Sequence, residues 1–217
     1  MNKIEIKNNT ISSGQTEKYF VIDGRPLYEY IDKWIEGNEE LLQVVSPTNE
    51  LAICWSDEYD FKGDSEFVRF ALNQNKAIIP ILLCPDDFDF SCIVIVVDVD
   101  KQEDKVSWKR IGLVDHSGES FEKEKRSGIL YTETYSEEDS LRYGDNIAFA
   151  QVDSDEWCKW ISDNWDEELF RRRINYTFPY YQNEKNIIWF ADCNFEFDRK
   201  EYDSTVESCY KKKCIEF

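Results

Sequence analysis

Aspartates around one proline are the densest group of side chains in this sequence that could do chemistry. Asp86, Asp87 and Asp89 lie within the stretch CPDDFDFSC, and Asp98 and Asp100 end the apolar run that follows. Carboxylate oxygens are the ligands that calcium and magnesium prefer, so this group could serve a metal-dependent hydrolase. The spacing is not that of a DxDxDG calcium loop, and turn aspartates ordinarily hydrogen-bond their own backbone. We interpret the stretch as a turn and keep the hydrolase as an alternative.

The cysteines and the single histidine give little support to other catalytic centres. Cys84 and Cys92 flank the aspartate turn, but zinc usually takes four ligands, and only His116 is available as a histidine ligand. His116 falls in a polar loop, where a solvated side chain is commoner than a positioned base. The sequence has no glycine-rich phosphate motif, GxSxG or HExxH. We therefore predict no catalytic, cofactor-binding or metal-binding residue, and a protein that is not an enzyme.

The elements that must position these residues indicate an α+β fold. Two β-branched runs, 77–84 and 91–99, flank the turn and are predicted to pair as an antiparallel hairpin, with 105–114 as a third strand. Other alternating or apolar runs predict further strands at 3–7, 18–22, 51–55, 128–133 and 187–197. Apolar residues at helical spacing and capping signals predict helices at 26–36, 64–74, 136–144 and 153–170.

The clearest predicted helix, 153–170, combines an apolar stripe with a basic end. Its stripe consists of Trp157, Trp160, Ile161, Trp165 and Leu169. Three arginines follow, at the end of a helix where positive charge interacts favourably with the helix dipole: Arg171, Arg172 and Arg173.

Composition and organisation predict one cytoplasmic domain. No linker or repeat divides residues 1–217, so we expect a single globular domain with a mostly antiparallel central sheet and packed helices. The longest apolar runs, 77–83 and 93–97, fall far short of the roughly 20 residues that span a bilayer. The first residues lack the apolar region of a signal peptide, and the seven cysteines show no disulfide framework. Both features favour a reducing cytoplasm and no membrane.

The charge is the strongest functional signal. The chain has 45 Asp and Glu against 26 Lys and Arg, a net charge of −19, together with 15% aromatic residues that can build a core. Solubility alone is served by a net charge of roughly 2 to 8 in small domains. A surface this negative repels nucleic acid and attracts basic proteins. The predicted contact residues are the densest acidic ones: Asp86, Asp87, Asp89, Glu137, Glu138, Asp139, Asp163, Asp166, Glu167 and Glu168.

Three stretches carry a resemblance to a known group. These are DGRPLY at 23–28, leading into a Trp-containing helix, PILLCPDDFDFSCIVIVVDVD at 80–100 and VSWKRIG at 106–112. Together they resemble small bacterial cytoplasmic proteins that are similar to the immunity proteins of polymorphic toxin and contact-dependent inhibition systems. The resemblance covers roughly 20–145, with YSEEDSLRYG as a weaker continuation, and 158–217 match no pattern of the group.

The resemblance implies a partner and no catalytic residues. It implies a non-enzymatic protein whose acidic face docks on a basic toxin domain, often a nuclease, and covers its active site. The charge fits this function, because opposite charges steer association. A regulatory protein that mimics nucleic acid by its charge is the other alternative.

Overall fold

Two antiparallel sheets and the helices packed on them form an α+β fold, as predicted. The computed structural model describes residues 1–10, 16–57, 59, 62–86, 88, 90, 92–116 and 155–210. The predicted strand at 128–133 and the predicted helix at 136–144 lie outside the described residues.

The larger sheet confirms the predicted meander. It has five strands in the order β4-β5-β6-β7-β8, and every neighbouring pair is antiparallel. β5 carries a bulge after Pro80, a residue that has no N–H to donate to a ladder. The strand bounds are β4 Ala52–Ile53, β5 Lys76–Leu83, β6 Val94–Lys101, β7 Lys105–Val114 and β8 Ile187–Asp198.

The smaller sheet lies beside the larger one, and hydrogen bonds join the two near the start of the chain. It consists of β1 Ile4–Thr10, β2 Thr16–Ile22 and β3 Arg25–Pro26 in that order. Asn2 makes the connection: its backbone N–H donates to the Glu196 carbonyl at 2.5 Å, and its Oδ1 accepts from the Glu196 N–H at 2.9 Å. The start of β1 is thereby tied to β8.

The helices include three that the sequence patterns did not predict. α2, α5 and α6 are the unpredicted ones, and α4 contains a non-helical residue, Asn164. The bounds are α1 Leu27–Ile35, α2 Glu39–Val45, α3 Lys62–Leu72, α4 Asp155–Arg172, α5 Phe178–Gln182 and α6 Arg199–Cys209. A π-helical turn, Arg173–Thr177, joins α4 to α5. Two short 3-10 helices complete the described elements: Thr48–Glu50 and Glu184–Asn186.

Two of the unpredicted helices, α2 and α6, begin at side-chain caps. Gly37, at a φ of 84°, follows α1 in a conformation that glycine adopts without steric cost. Asn38 then accepts a hydrogen bond from the Leu41 N–H at 3.2 Å and caps α2. Asp198 similarly accepts from the N–H groups of Lys200 and Glu201, so α6 begins where β8 ends.

Two tryptophans hold the centre of the core. The rings of Trp55 and Trp108 meet edge to face with centroids 6.0 Å apart, and both are fully buried. Each buried indole N–H finds an acceptor: Trp55 donates to the Pro80 carbonyl at 3.0 Å, and Trp108 donates to the Tyr202 hydroxyl at 3.2 Å. α6 is thereby attached to the larger sheet.

A glutamine occupies part of the outer edge of β5. Ile78 lies beyond the short pairing with β4, which involves only Leu82 and Leu83 of β5. The Ile78 N–H donates to Oε1 of Gln182 at 2.9 Å, and the Gln182 Nε2 donates to the Ile78 carbonyl at 2.8 Å. The last residue of α5 thus satisfies both backbone groups of a strand residue.

The α3–α4 contact depends on a glycine. A Cβ added at Gly63 would collide with the carbonyl oxygen of Asp166, and it would lie 2.9 Å from the backbone nitrogen of Phe170. Both obstacles are helix backbone, which cannot rotate away as a flexible side chain can. Only glycine allows the two helices to approach this closely.

We expect Gly63→Ala to lower the free energy of unfolding by about 1–3 kcal/mol, because the methyl group must push α4 away from α3. Urea denaturation followed by circular dichroism measures the change. Glu66→Ala, at a half-exposed position of the same helix, is the control and should cost no more than about 0.5 kcal/mol. Equal stability of Gly63→Ala and the wild type would show that the helices do not pack this closely.

Candidate protein-binding surface

The aspartate turn is anchored by the phenylalanines between its acids. Phe88, at a φ of 45°, stacks on Tyr59 with centroids 4.6 Å apart. Phe90 is buried, and the guanidinium of Arg173 lies 5.0 Å from its ring centroid. Asp86 is exposed, whereas the predicted contact residues Asp87 and Asp89 lie outside the described residues.

The aspartates of β6 are occupied by cations of β7. Asp98 accepts from Arg110 at 2.9 Å, and Asp100 accepts from Lys109 at 2.7 Å, a hydrogen bond that lowers the pKa of the Asp100 carboxyl. Arg110 also binds Glu184 and lies over the Trp189 ring. Across the ranges of the chain that the structure describes, no group of three or more His, Cys, Asp or Glu is arranged to hold a metal ion.

Three of the described cysteines, Cys54, Cys193 and Cys209, do not have the environment of catalytic nucleophiles. Among the described residues, Cys54, Cys84, Cys92, Cys193 and Cys209 are free thiols. Burial raises the pKa of Cys193 and of Cys209 to about 11, and it raises the pKa of Cys54 well above its ordinary value. An activated thiol requires the opposite shift. Cys54, Cys193 and Cys209 therefore stay protonated at neutral pH and act as small apolar groups.

The three arginines after the predicted stripe form ion pairs, and two of them, Arg171 and Arg172, are buried. Glu168 has no exposed side-chain surface, and it accepts from Arg171 at 2.5 Å and from Arg172 at 2.9 Å. Arg173 pairs with Asp64 of α3 at 2.7 Å. The prediction that Glu168 contributes to an exposed contact surface is wrong, because its carboxylate is the buried counter-charge of two guanidiniums. The helical backbone continues past these arginines, so they do not form a solvent-exposed helix end.

The other predicted contact residues are divided between described and undescribed parts of the chain. Asp163 and Asp166 are exposed on α4, where Asp166 also accepts from the Lys62 N–H at 3.0 Å and so caps the start of α3. Glu167 is half-buried. The acidic group at the predicted helix start lies outside the described residues: Glu137, Glu138 and Asp139.

The structure shows a further acidic surface, formed by α1, α2 and the residues beside them. The sequence analysis did not predict it, because its acids do not form one dense run. Residues 27–50 contain six acidic residues and one basic residue, Lys33, and all seven are exposed. The acidic ones are Glu29, Asp32, Glu36, Glu39, Glu40 and Glu50. The signal that could have found them is this local imbalance, which is spread over residues 27–50 instead of concentrated in one run.

Most of these carboxylates are not neutralised by a neighbour. Glu29 pairs with Arg25 at 3.0 Å, and Asp32 accepts from the Thr48 hydroxyl at 2.5 Å. Within the part of the chain that the structure describes, the remaining four make no ion pair and no side-chain hydrogen bond: Glu36, Glu39, Glu40 and Glu50. Glu39 and Glu40 also lie in the first turn of α2, where negative charge stabilises a helix.

Two exposed apolar side chains lie among these acids. Leu42 is 36% exposed and Val44 is 48% exposed, whereas Leu41 and Val45 bury the inner side of α2. Successive residues of a helix are turned by about 100° around its axis. Gln43 therefore points away from the core, and Leu42 and Val44 lie on either side of it. We call the exposed surface formed by Glu36, Glu39, Glu40, Leu42 and Val44 the α2 surface.

Comparison with known proteins gives no relative. The chain matches no protein-family model, and no curated protein and no solved structure matches it significantly. The resemblance to immunity proteins therefore stays a prediction. None of the helices within the described ranges has the length and apolar character needed to cross a membrane.

We expect Cys193 and Cys209 of the folded protein to react slowly with iodoacetamide at pH 8. A thiol with a pKa near 11 has a thiolate fraction more than about 100-fold lower than an ordinary cysteine at this pH. Mass spectrometry of timed samples, with urea-unfolded protein as the control, measures the two rates. Labelling of both sites at the unfolded rate would contradict the burial of these thiols.

Glu168→Gln should lower the free energy of unfolding by about 3–5 kcal/mol, because it removes the carboxylate that Arg171 and Arg172 share in a buried site. Chemical denaturation is the measurement. Asp203→Asn breaks the half-exposed pair with Arg199 and is the matched control, with an expected cost of about 0.5 kcal/mol. Similar losses for the two variants would contradict the buried position of Glu168.

Proposed function

We propose that this chain is a non-enzymatic acidic binding protein that neutralises a basic toxin domain, and that the α2 surface is a contact surface for it. The observation that carries the proposal is a set of exposed carboxylates, Glu36, Glu39 and Glu40, that have no counter-ion among the residues the structure describes and lie next to two exposed aliphatic side chains. Unpaired like charges repel one another, so their retention on one surface favours a partner that supplies positive charge.

The composition of the α2 surface suits a fast, salt-sensitive complex. Carboxylates at the rim steer a basic partner and raise its association rate, chiefly at low ionic strength. Leu42 and Val44 provide apolar area that a partner can cover, and covered apolar side chains slow dissociation. Steering and burial therefore come from different residues of the same surface, which allows them to be tested separately.

The cytoplasm is the compartment that we propose for this function. A toxin inhibitor of this kind protects the cell that makes it, and free thiols such as those of Cys54 and Cys209 persist in a reducing compartment. The same carboxylates would also serve a regulator that mimics nucleic acid. Such a regulator would bind a nucleic-acid-binding protein of the host and would require no toxin gene nearby.

The proposal expects a gene beside this one to encode the toxin domain, and the test uses the purified product of that gene. Surface plasmon resonance at increasing salt should show a complex whose association rate falls as salt rises. The triple variant Glu36→Gln, Glu39→Gln and Glu40→Gln should lower the association rate about tenfold and change dissociation little. Leu42→Ala with Val44→Ala should instead raise the dissociation rate.

A charge-matched control keeps the test specific to the α2 surface. Glu103→Gln, Asp104→Asn and Asp192→Asn remove three exposed acids from the ends and edge of the larger sheet. If this control slows association as much as the α2 triple variant, net charge alone acts and the assigned surface is wrong. Absence of any complex at low salt would overturn the proposed function itself.

A further inference from the structure

The outer edge of β8 is the long open edge of the larger sheet. The sheet ends on one side at β4, which has two residues, and on the other at β8, which has twelve. Asn2 covers the β8 edge at Glu196. Along 187–191, no hydrogen-bond partner on the side away from β7 occurs among the described residues. These five residues, IIWFA, include no lysine or proline, the residues that commonly prevent an edge strand from pairing.

Two residues of this edge turn their backbone groups outward. The Asp115 N–H donates to the Asn186 carbonyl at 2.7 Å, so the backbone groups of Asn186 point toward β7. Backbone direction alternates along a strand, so Ile188 also faces β7, whereas Ile187 and Trp189 direct their N–H and C=O groups away from it. A bulge in the β7–β8 ladder follows Trp189 and interrupts the alternation. The pairing surface is therefore 187–189.

The side chains around this surface are apolar at its centre and oppositely charged at its ends. Ile188 is 41% exposed, which is unusual for an isoleucine of a sheet. Lys185 precedes it and Asp192 follows it, and both are exposed. Neither of these two charged side chains forms an ion pair within the described part of the chain. One edge thus offers an available ammonium group at one end and an available carboxylate at the other.

We infer that this edge binds a second copy of the same chain, with the two β8 strands antiparallel about a two-fold axis at Ile188. In this register, Ile187 of each copy lies opposite Trp189 of the other, and each such pair exchanges N–H···O=C bonds in both directions. The antiparallel direction also brings Lys185 of each copy toward Asp192 of the other. The edge is therefore complementary to itself in charge, which is the observation that selects a second copy as its occupant.

The net charge of the chain does not prevent this pairing. Two chains of net charge −19 repel each other, but physiological salt screens charges that lie more than about 8 Å apart. At the edge itself, one free cation and one free anion per copy balance. The α2 surface contains none of the residues of this edge, so both surfaces can be occupied in one molecule.

Sedimentation equilibrium at physiological salt tests the dimer. Two short edges form a small interface, so we expect a Kd of about 10–100 µM and an average mass that rises with concentration from 25.8 kDa toward twice that value. Ile188→Lys places like charges opposite each other at the axis and should raise the Kd at least about tenfold, with an unchanged circular dichroism spectrum. Val44→Lys, the same kind of change at an exposed aliphatic residue of the α2 surface, is the control and should dimerise normally.

Two results of this experiment would overturn the inference. A mass of 25.8 kDa at every concentration would mean that the edge serves another occupant, such as a strand of a different protein, or none. Equal weakening by Ile188→Lys and Val44→Lys would place the contact elsewhere.

An exchange of charges tests the antiparallel direction. Lys185→Glu alone and Asp192→Lys alone each bring like charges together and should raise the Kd about fivefold. The double variant restores opposite charges across the axis, so its Kd should return to within about twofold of the wild type. A double variant that is as weak as the single ones would contradict this arrangement.

A cysteine at the axis tests the register. Residues directly opposite in a non-hydrogen-bonded pair have Cα atoms about 4.5 Å apart, within the range that a disulfide spans. Mild oxidation should therefore link Ile188→Cys into a covalent dimer on a non-reducing gel, whereas the wild type stays monomeric. In Asp192→Cys, the two new thiols would lie roughly 25 Å apart and should not link. Equal linking of the two variants would overturn the register that we infer.

Discussion

The edge-to-face contact between Trp55 and Trp108 is the constraint on which the rest of the fold depends. Both indoles are fully buried, so each N–H requires an internal acceptor, and these acceptors are on β5 and α6. Phe20 of the smaller sheet packs against both rings, with centroids 4.8 Å and 6.0 Å away. One aromatic cluster thereby fixes the smaller sheet, the larger sheet and α6 relative to one another.

The described surface does not distribute its negative charge evenly. On the larger sheet, carboxylates such as Asp98, Asp100 and Glu196 are each held by a cation of β7. Over residues 27–50 the carboxylates outnumber the cations six to one, and most have no partner within the described residues. A charged partner therefore responds to the unpaired charge of each surface, and the net charge of the whole chain does not give that quantity. Because of this difference, the contact with a basic partner is proposed on the helices and not on the larger sheet.

The meander could be predicted because its signals are local: β-branched runs such as 77–84 and 91–99 bracket a proline and aspartates. α2 and α6 could not be predicted, because their apolar patterns are weak: α2 has only seven residues, and α6 buries only Tyr202 and Cys209. The burial of Glu168 depends on tertiary packing, although arginines three and four residues later were a local hint of pairing. Whether a predicted acidic residue is exposed or paired depends on its neighbours in space, and the density of acids along the sequence does not report those neighbours.

The Gln182 side chain has a consequence for how the larger sheet ends. An amide carries one donor and one acceptor in nearly the arrangement of a peptide group, and here it takes the place that another strand would occupy beside Ile78. An open position of this kind is where sheets of separate molecules join and aggregate. A single side chain from a helix closes it, so this stretch of β5 offers no template to another chain.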